Sequence, residues 1–262
     1  MLRSLRTAAL GLSAQQLNID TISNNLSNVN TTGYKKNNVE FQDLLYETIN
    51  AGNSESRNGN VKPSELQIGL GNKPVSTFRS FSQGAIQETN NPLDVAIEGK
   101  GFFRIQQTDG TFAYSRDGAF RVTADGSLVT ANGLPVYPEI SIPNEASAIK
   151  IGIDGVVTVV YAGDPNPEEV GQLELVNFMN PAGLRAIGSN LYLETEASGD
   201  PIFGLPGEDG LGNINQGYLE KSNVDIVEEM ISLIVAQRAY EINSKAISTS
   251  DEILQMTNNL KR

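Results

Sequence analysis

The sequence has neither cysteine nor histidine among its 262 residues. Without cysteine, no disulfide can form and no thiol chemistry is possible. Without histidine, the chain lacks the most frequent general base and the most frequent metal ligand. These two absences weigh against an enzyme, a cofactor and a metal site, but they leave open an enzyme that uses carboxylates alone.

Long apolar runs and an excess of positive charge are absent as well. No stretch comes near the roughly 20 apolar residues that are needed to span a bilayer, so membrane insertion is not expected. With 31 acidic and 19 basic residues, the formal net charge is -12. An acidic chain is repelled by phosphate backbones, and nucleic acid is therefore not an expected partner.

Both ends of the chain carry apolar residues at heptad spacing, which is typical of coiled-coil helices. We interpret these residues as subunit-packing positions, although two amphipathic helices that pack on the chain's own core would give the same pattern. The N-terminal stripe consists of Leu5, Leu12, Ile19, Ile22, Leu26 and Val29, and the C-terminal stripe of Ile226, Leu233, Tyr240, Ile247 and Leu254.

A second set of apolar residues accompanies the C-terminal stripe. It comprises Val224, Val227, Ile231 and Ile234, which a helix would place on its outer side. Because a single chain has nothing left to cover this side, we expect neighbouring subunits to bury it.

The middle of the chain has the pattern of short strands joined by tight turns. Glycine follows Asp109, Asp117, Asp125 and Asn132, and Asp154-Gly155 adds a further turn. The first four pairs predict type I′ hairpin turns in an antiparallel meander. Calcium loops also contain Asp-Gly, but their D-x-D-x-D-G pattern with a closing Glu is absent.

These patterns together predict an α+β fold. N- and C-terminal helices form a coiled-coil stalk, and the middle forms a β-rich antiparallel body. The expected domains are a discontinuous helical core of residues 1–33 and 222–262, an extended linking segment 34–91, a β-rich outer body 92–200 and a return linker 201–221.

Residues 47–73 begin with a long polar stretch rich in Asn, Ser and Gly. One interpretation is a loose surface loop. The other is a segment that becomes ordered against neighbouring subunits, held by apolar anchors on both sides. These anchors are Leu44, Leu45 and Tyr46 before the polar stretch, and Leu66 and Ile68 after it.

Three separated motifs resemble those of the flagellar rod and hook protein family. The first covers residues 14–35 and ends in NTTGYK, the second comprises DVAIEGKGFF at 94–103 with YSRDGAF at 114–120, and the third covers residues 222–245. They occur in the family's order and include both ends of the chain, which makes the resemblance specific.

This resemblance implies a structural axial protein of the bacterial flagellum, without catalytic activity or cofactor. It implies a helical polymer of identical copies that also contacts neighbouring rod proteins, hook or hook-junction proteins and the ring or bushing proteins around the rod. It further implies a basal-body location in the periplasm-spanning rod, and export by the flagellar type III apparatus without a cleaved signal peptide.

Within the family, residues 41–49 and LQIGLG at 66–71 resemble the distal-rod member. The implied function is a rigid, hollow drive shaft that transmits torque to the hook. Another rod protein or a short hook-type axial protein of the same family remains an alternative. Two other classes are a carboxylate-based hydrolase, with Asp94, Asp117 and Asp125 facing one cleft, and a monomeric binding module with helical ends.

Overall fold

The computed structural model describes residues 2–50, 66–162 and 164–259. Two helices enclose the strands in chain order, and the predicted α+β class is confirmed. The elements are α1 Leu2–Ser27, β1 Asn37–Asp43, β2 Tyr46–Asn50, β3 Leu66–Gly69, β4 Asn72–Arg79, β5 Ile86–Glu88, β6 Val95–Glu98, β7 Phe102–Gln106, β8 Phe112–Ser115, β9 Arg121–Val122, β10 Leu128–Val129, β11 Val136–Tyr137, β12 Ala146–Ile151, β13 Val156–Tyr161, β14 Asp164–Gln172, β15 Leu175–Asn177, β16 Arg185–Gly188, β17 Leu191–Leu193, β18 Ile202–Gly204, β19 Asn213–Gln216, β20 Tyr218–Glu220 and α2 Ile226–Asn259, with a short 3-10 helix at Pro181–Gly183.

The chain divides into two compact units. The first, the helical unit, comprises Met1–Leu26, Asn37–Phe78 and Ile226–Arg262, and the second, the β unit, comprises Ser27–Lys36 and Arg79–Asp225. The strands between residues 37 and 78 therefore group with the helices, whereas the sequence interpretation treated residues 34–91 as a separate extended segment. Of the polar stretch predicted there, residues 51–65 lie outside the described residues.

The helical unit consists of two long helices and a β ribbon. Helix α2 runs for 34 residues without glycine or proline. The negative charges of Glu228 and Glu229 in its first turn stabilise the helix, because they lie at the positive end of the helix dipole. It begins at Ile226 and not at the predicted Ser222, because the Ser222 hydroxyl accepts a hydrogen bond from the Val224 N–H at 3.3 Å in a local turn. Val224 is consequently buried in the β unit and does not belong to the outer side of the helix.

The ribbon of the helical unit is made of two strand pairs, β1 with β4 and the antiparallel pair of β2 with β3. The Leu44 N–H donates to the Gly71 carbonyl at 2.8 Å and joins the two pairs into one ribbon. Gly71 has a φ of +112°, and a Cβ there would lie 3.1 Å from the Leu10 side chain. The ribbon thus packs closely against α1 at this turn, where glycine is required.

The β unit is built around one antiparallel sheet with the strand order β16-β17-β8-β7-β15-β18, in which β11 also pairs with β7. Strands β12, β13 and β14 form a second sheet. Phe103 of β7 and Val159 of β13 have no exposed surface and belong to one core. The same core contains Ile97 of β6, Ile214 of β19 and Leu173, which follows β14. Burial of this apolar surface is the main stabilising contribution in the unit.

The hairpin turns in this unit differ from the predicted type I′. Four of them share one geometry, in which the glycine N–H donates to the carbonyl three residues earlier and the glycine has a positive φ. The residue before each glycine has no positive φ, so the turns are type I turns followed by a glycine bulge. These glycines are Gly110, Gly126, Gly133 and Gly155.

The remaining predicted turn, Asp117-Gly118, is not a hairpin. Gly118 has an ordinary φ, and a Cβ at this position would overlap the Val95 carbonyl oxygen. Glycine is needed there because another segment of backbone passes close by, which a local turn motif does not reveal.

The predicted return linker 201–221 is wrong. The region contributes three strands, because β18 pairs with β15, β19 with β6 and β20 with β5. Its glycine-rich turns resemble a linker in composition, but Leu211 and Ile214 between them are buried in the main core. The apolar residues between the glycines therefore decide the structure.

Candidate functional site: terminal helices and a buried charge cluster

The two terminal helices pair antiparallel through small and polar residues. The Ser4 hydroxyl lies 3.5 Å from that of Ser250, and a Cβ at Gly11 would lie 2.9 Å from Asn243 Nδ2. Near the other end, Asn25 Nδ2 donates to Glu229 Oε2 at 3.2 Å. Successive contacts are separated by one or two heptads on both helices, so the pairing has coiled-coil register. We call these residues, with the buried Ala236 of α2, the helix seam.

The predicted stripes lie partly beside the seam. Ile22 is buried, Ile226 and Tyr240 are exposed, and the other stripe residues are half-buried; these are Leu5, Leu12, Ile19, Leu26, Val29, Leu233, Ile247 and Leu254. Val29 follows the end of α1 and belongs to the β unit. The sequence pattern indicated the most apolar positions and missed the small residues of the helix seam. The available indication of the seam was Gly11, a glycine inside a helical heptad pattern.

The side of α2 opposite the seam is apolar along its first half. We call this surface the outer face of α2, and each of its side chains is between 50 and 68% exposed. Val227, Ile231 and Ile234, which were predicted to lie on the outer side of the helix, are exposed there. The outer face consists of Val227, Met230, Ile231, Ile234, Val235 and Ile242. A contiguous apolar surface on a helix is typical of a surface that another protein covers.

The predicted anchors of the polar segment meet in the hairpin of β2 and β3. Tyr46 pairs with Gly69 and Glu47 with Ile68, and a Cβ at Gly69 would touch the Tyr46 ring at 3.3 Å. Leu44 is half-buried, whereas Leu45, Tyr46, Leu66 and Ile68 are exposed, Leu45 by 84%. The hairpin therefore presents apolar side chains on its own surface.

The β unit contains a buried charge cluster that sequence reasoning did not identify. Lys35 Nζ lies 2.6 Å from Glu220 Oε1, and neither side chain has any exposed surface. Arg116 Nε lies 3.6 Å from the other oxygen, Glu220 Oε2. Lys35 Nζ also donates to the Ser82 carbonyl at 2.8 Å, and the Gly84 N–H donates to Glu220 Oε1 at 2.8 Å. The cluster thus joins four segments of the chain.

Burial dominates the electrostatics of this cluster. It lowers the pKa of Lys35 from its ordinary value, and the neighbouring Glu220 carboxylate opposes that shift. It also lowers the pKa of Arg116, again against the effect of Glu220. Removing either cation would leave Glu220 buried with fewer partners, which is strongly destabilising.

The three motifs that carry the family resemblance converge at this cluster. Lys35 ends the first motif and Arg116 belongs to the second. The third supplies Asn223, whose Oδ1 accepts a hydrogen bond from the Lys36 N–H at 2.7 Å and whose Nδ2 donates to the Ser80 carbonyl at 2.8 Å. Residues far apart in the sequence therefore fasten the segment after α1 to the segment before α2.

Asp94 and Asp117, two acids of the hydrolase hypothesis, lie near each other. Burial is the main cause of a raised pKa at Asp117, and the charge of Asp94 adds to it. The Asp117 carboxylate accepts hydrogen bonds from the Ala119 N–H at 3.1 Å and from Asn190 Nδ2 at 3.3 Å. Asp94 accepts one from Asn91 Nδ2 at 2.9 Å. These contacts hold loops in place.

Comparison with protein families identifies three matching segments. Residues 5–35 match the flagella basal body rod protein family, residues 96–159 the flagellar hook protein FlgE/F/G D1 domain, and residues 215–260 the flagellar basal body rod FlgEFG protein C-terminal family. The flagellar basal-body rod protein FlgG of Borreliella burgdorferi is 53% identical over 264 residues, which cover 100% of both chains. The chain belongs to the flagellar basal-body rod protein family.

Other relatives extend this comparison. The flagellar basal-body rod protein FlgG of Caulobacter vibrioides is 50% identical over 99% of this chain and 100% of its own. The flagellar hook-basal body complex protein FlhP of Bacillus subtilis is 35% identical over 100% of both chains. As a member of the rod protein family, the chain is a structural protein of the flagellum. None of the helices in its described ranges is long and apolar enough to cross a membrane.

Proposed function

We propose that this rod protein is the structural subunit of the distal rod and polymerises helically into a rigid, hollow drive shaft that transmits torque to the hook. Full-length identity of about half to basal-body rod proteins, against 35% to a hook-basal body complex protein, supports the rod over a hook-type role. The observation that carries the proposal is the exposed apolar outer face of α2.

The outer face supports self-assembly on energetic grounds. Fully burying an exposed Val or Ile side chain contributes about 1.5–3 kcal/mol, so a handful of them stabilise a subunit contact substantially. The same surface exists on every copy, and head-to-tail contacts between identical copies generate a helical polymer when they do not close. The stripe residues and the hairpin anchors would contribute to the same packing.

The proposed partners follow from a position within the flagellar axis. They are further copies of the chain, neighbouring rod proteins, hook or hook-junction proteins, and the ring or bushing proteins that surround the rod. The proposed location is the periplasm-spanning part of the basal body, reached through the flagellar type III apparatus without a cleaved signal peptide. Catalysis is not part of this role.

A charge on the outer face tests the proposal. Ile231→Asp should leave the free subunit folded, because Ile231 is 58% exposed there. Assembly should be lost, because a buried charge without a partner is costly. Large assemblies should therefore be absent in sedimentation, and the variant should not restore motility to cells lacking the chain. Thr249→Asp is the matched control, since Thr249 lies five helical turns further along the same side of α2 and is exposed but polar. Normal assembly of the Ile231 variant would contradict the proposal.

A further inference from the structure

Arg116 is a buried guanidinium that lacks part of its hydrogen bonding. Its side chain is 4% exposed. Nη2 donates to the Gly99 carbonyl, but among the described residues neither Nε nor Nη1 has a hydrogen-bond acceptor, and Glu220 Oε2 has no donor. Buried charged groups are normally hydrogen-bonded throughout, because leaving them unsatisfied is costly. Nε and Glu220 Oε2 lie 3.6 Å apart as an ion pair, so Nη1 is the guanidinium nitrogen that is left to bind a further acceptor.

The charges around Arg116 are also unbalanced. Lys35 and Arg116 are both buried cations, and Glu220 is the one buried carboxylate that the two share. Its closer contact is with Lys35 at 2.6 Å, against 3.6 Å to Arg116. Asp117, the next residue in sequence, already accepts two hydrogen bonds from other groups of the β unit. The cluster consequently has an excess of positive charge on the side of Arg116.

A cavity of 170 Å³ adjoins this guanidinium. Arg116 and Lys100 line it together with the aromatic rings of Phe81, Phe102 and Phe178. The two cations suit a carboxylate, and the aromatic walls suit the methylene groups that carry one. The cavity thus has the size and the chemistry to receive an Asp or Glu side chain.

We propose that this cavity receives a carboxylate side chain from a neighbouring copy of the chain, with Arg116 as the buried cation and Lys100 as the cation at the surface. The inference rests on the proposed self-assembly. Charge complementarity supports a second copy as the occupant, because 31 acidic residues against 19 basic ones make each copy a source of exposed carboxylates. Met179 also lines the cavity and is 88% exposed, which gives the docking surface an apolar edge.

The first test places a carboxylate on the cavity itself. Lys100→Glu should cancel the positive charge of Arg116 in the cavity and repel the incoming carboxylate. The subunit concentration needed for assembly should rise about tenfold, which corresponds to a loss of about 1.4 kcal/mol in binding free energy. Lys150→Glu makes the same charge change at another exposed lysine of the β unit and should leave assembly unchanged. Equal assembly of the two variants in sedimentation velocity would overturn the inference while leaving the proposed function standing.

The second test uses the unassembled full-length subunit and does not depend on polymerisation. With ¹⁵N-labelled arginine, the Arg116 Nε–H resonance should shift saturably when acetate is added, and it should not shift with chloride at the same ionic strength. Lys100→Glu should reduce the response, and Lys150→Glu should retain it. Identical behaviour in acetate and chloride would overturn the carboxylate site. Absence of any assembly by the wild-type chain would instead refute the proposed function and the second copy as occupant.

Discussion

Asn25 and Glu229 meet across the helix seam, where Asn25 Nδ2 donates to Glu229 Oε2 at 3.2 Å and both side chains are 1% exposed. The Asn25 amide also binds the first residue of β1, accepting from the Asn37 N–H and donating to the Asn37 carbonyl, each at 2.9 Å. One side chain therefore fixes α2 and the start of the ribbon relative to α1. A buried polar pair of this kind permits one helix register and penalises the others.

Asn25→Ala should destabilise the helical unit by about 1–3 kcal/mol, because it leaves Glu229 and the Asn37 backbone buried with fewer partners. Asn25→Asp should be worse, since it opposes two carboxylates at the same place. Thermal unfolding followed by far-ultraviolet circular dichroism measures both effects. Gln16→Ala, at an exposed position of α1, serves as control and should change stability little. Equal stability of the Asn25 and Gln16 variants would contradict the role assigned to the pair.

The sequence predicted this helix pair only in part. Heptad spacing of apolar residues correctly indicated two terminal helices, since periodicity is a local property of the chain. It could not indicate that Gly11 faces Asn243 or that Asn25 faces Glu229. The register of α1 against α2 also depends on which helix surfaces are left for contacts with other subunits, and heptad spacing does not show this. The stripe residues were assigned to subunit packing, and the outer face of α2 was predicted only in part, since Ile242, which is 68% exposed there, was not among the predicted residues.

The β unit illustrates the same limit. Asp-Gly pairs correctly indicated several turns. At position 118, however, glycine is needed because the backbone of Val95, from a distant segment, passes close to it. Lys35 and Arg116 stand inside recognisable motifs, yet nothing near Glu220 in the sequence marks it as their common partner. Contacts of this kind arise from the tertiary fold, and a local pattern carries no information about them.

The terminal helices should be less protected than the β unit in the free subunit. The helix seam buries little apolar surface, since it contains Ser4, Gly11 and Asn243, and long helices gain most of their stability from packing. We expect hydrogen exchange to be faster in α1 and α2 than in β7, where Phe103 and Ile105 are 0 and 1% exposed. Exchange measured by mass spectrometry on the monomer checks this, and equal protection of helices and β7 would be the contrary result.

Tyr114 should make the β unit sensitive to alkali. Burial raises its pKa, and the hydrogen bond from its hydroxyl to Glu194 Oε2 at 3.0 Å raises it further. The unfolded chain therefore releases this proton at a lower pH than the folded chain, from about pH 10 upward. Because the folded state holds more protons in that window, stability falls as the pH rises through it.

Tyr114→Phe tests this titration. It should lower stability at pH 7 by about 1 kcal/mol through loss of the hydrogen bond, and it should make the decline above pH 10 shallower. Urea denaturation at pH 7, 9, 10 and about 11 measures both effects. Tyr218→Phe, at a residue that is 36% exposed, should reproduce the wild-type profile. A decline as steep in the Tyr114 variant as in wild type would show that another group controls alkaline unfolding.

The hairpin of β2 and β3 should stiffen the assembled rod. Its exposed Leu45, Tyr46, Leu66 and Ile68 suit packing against neighbouring copies, while the hydrogen bond from Leu44 to Gly71 joins it to the rest of the ribbon. Because Tyr46 pairs directly with Gly69, residues 47–68 can be replaced by the two-residue turn Asn-Gly without disturbing the rest of the ribbon. The variant should still polymerise through its untouched helices, and its rods should be curved or flexible in electron micrographs.

A second variant separates the strands from the polar stretch between them. Replacing residues 51–65 by a Gly/Ser run of equal length keeps every described strand of the ribbon, and long polar connections contribute little to stability. If the exposed apolar residues of the hairpin are what resists bending, rods of this variant should be straight while those of the shortened variant bend. Straight rods from both would assign the stiffness to the helices, and bent rods from both would assign it to residues 51–65.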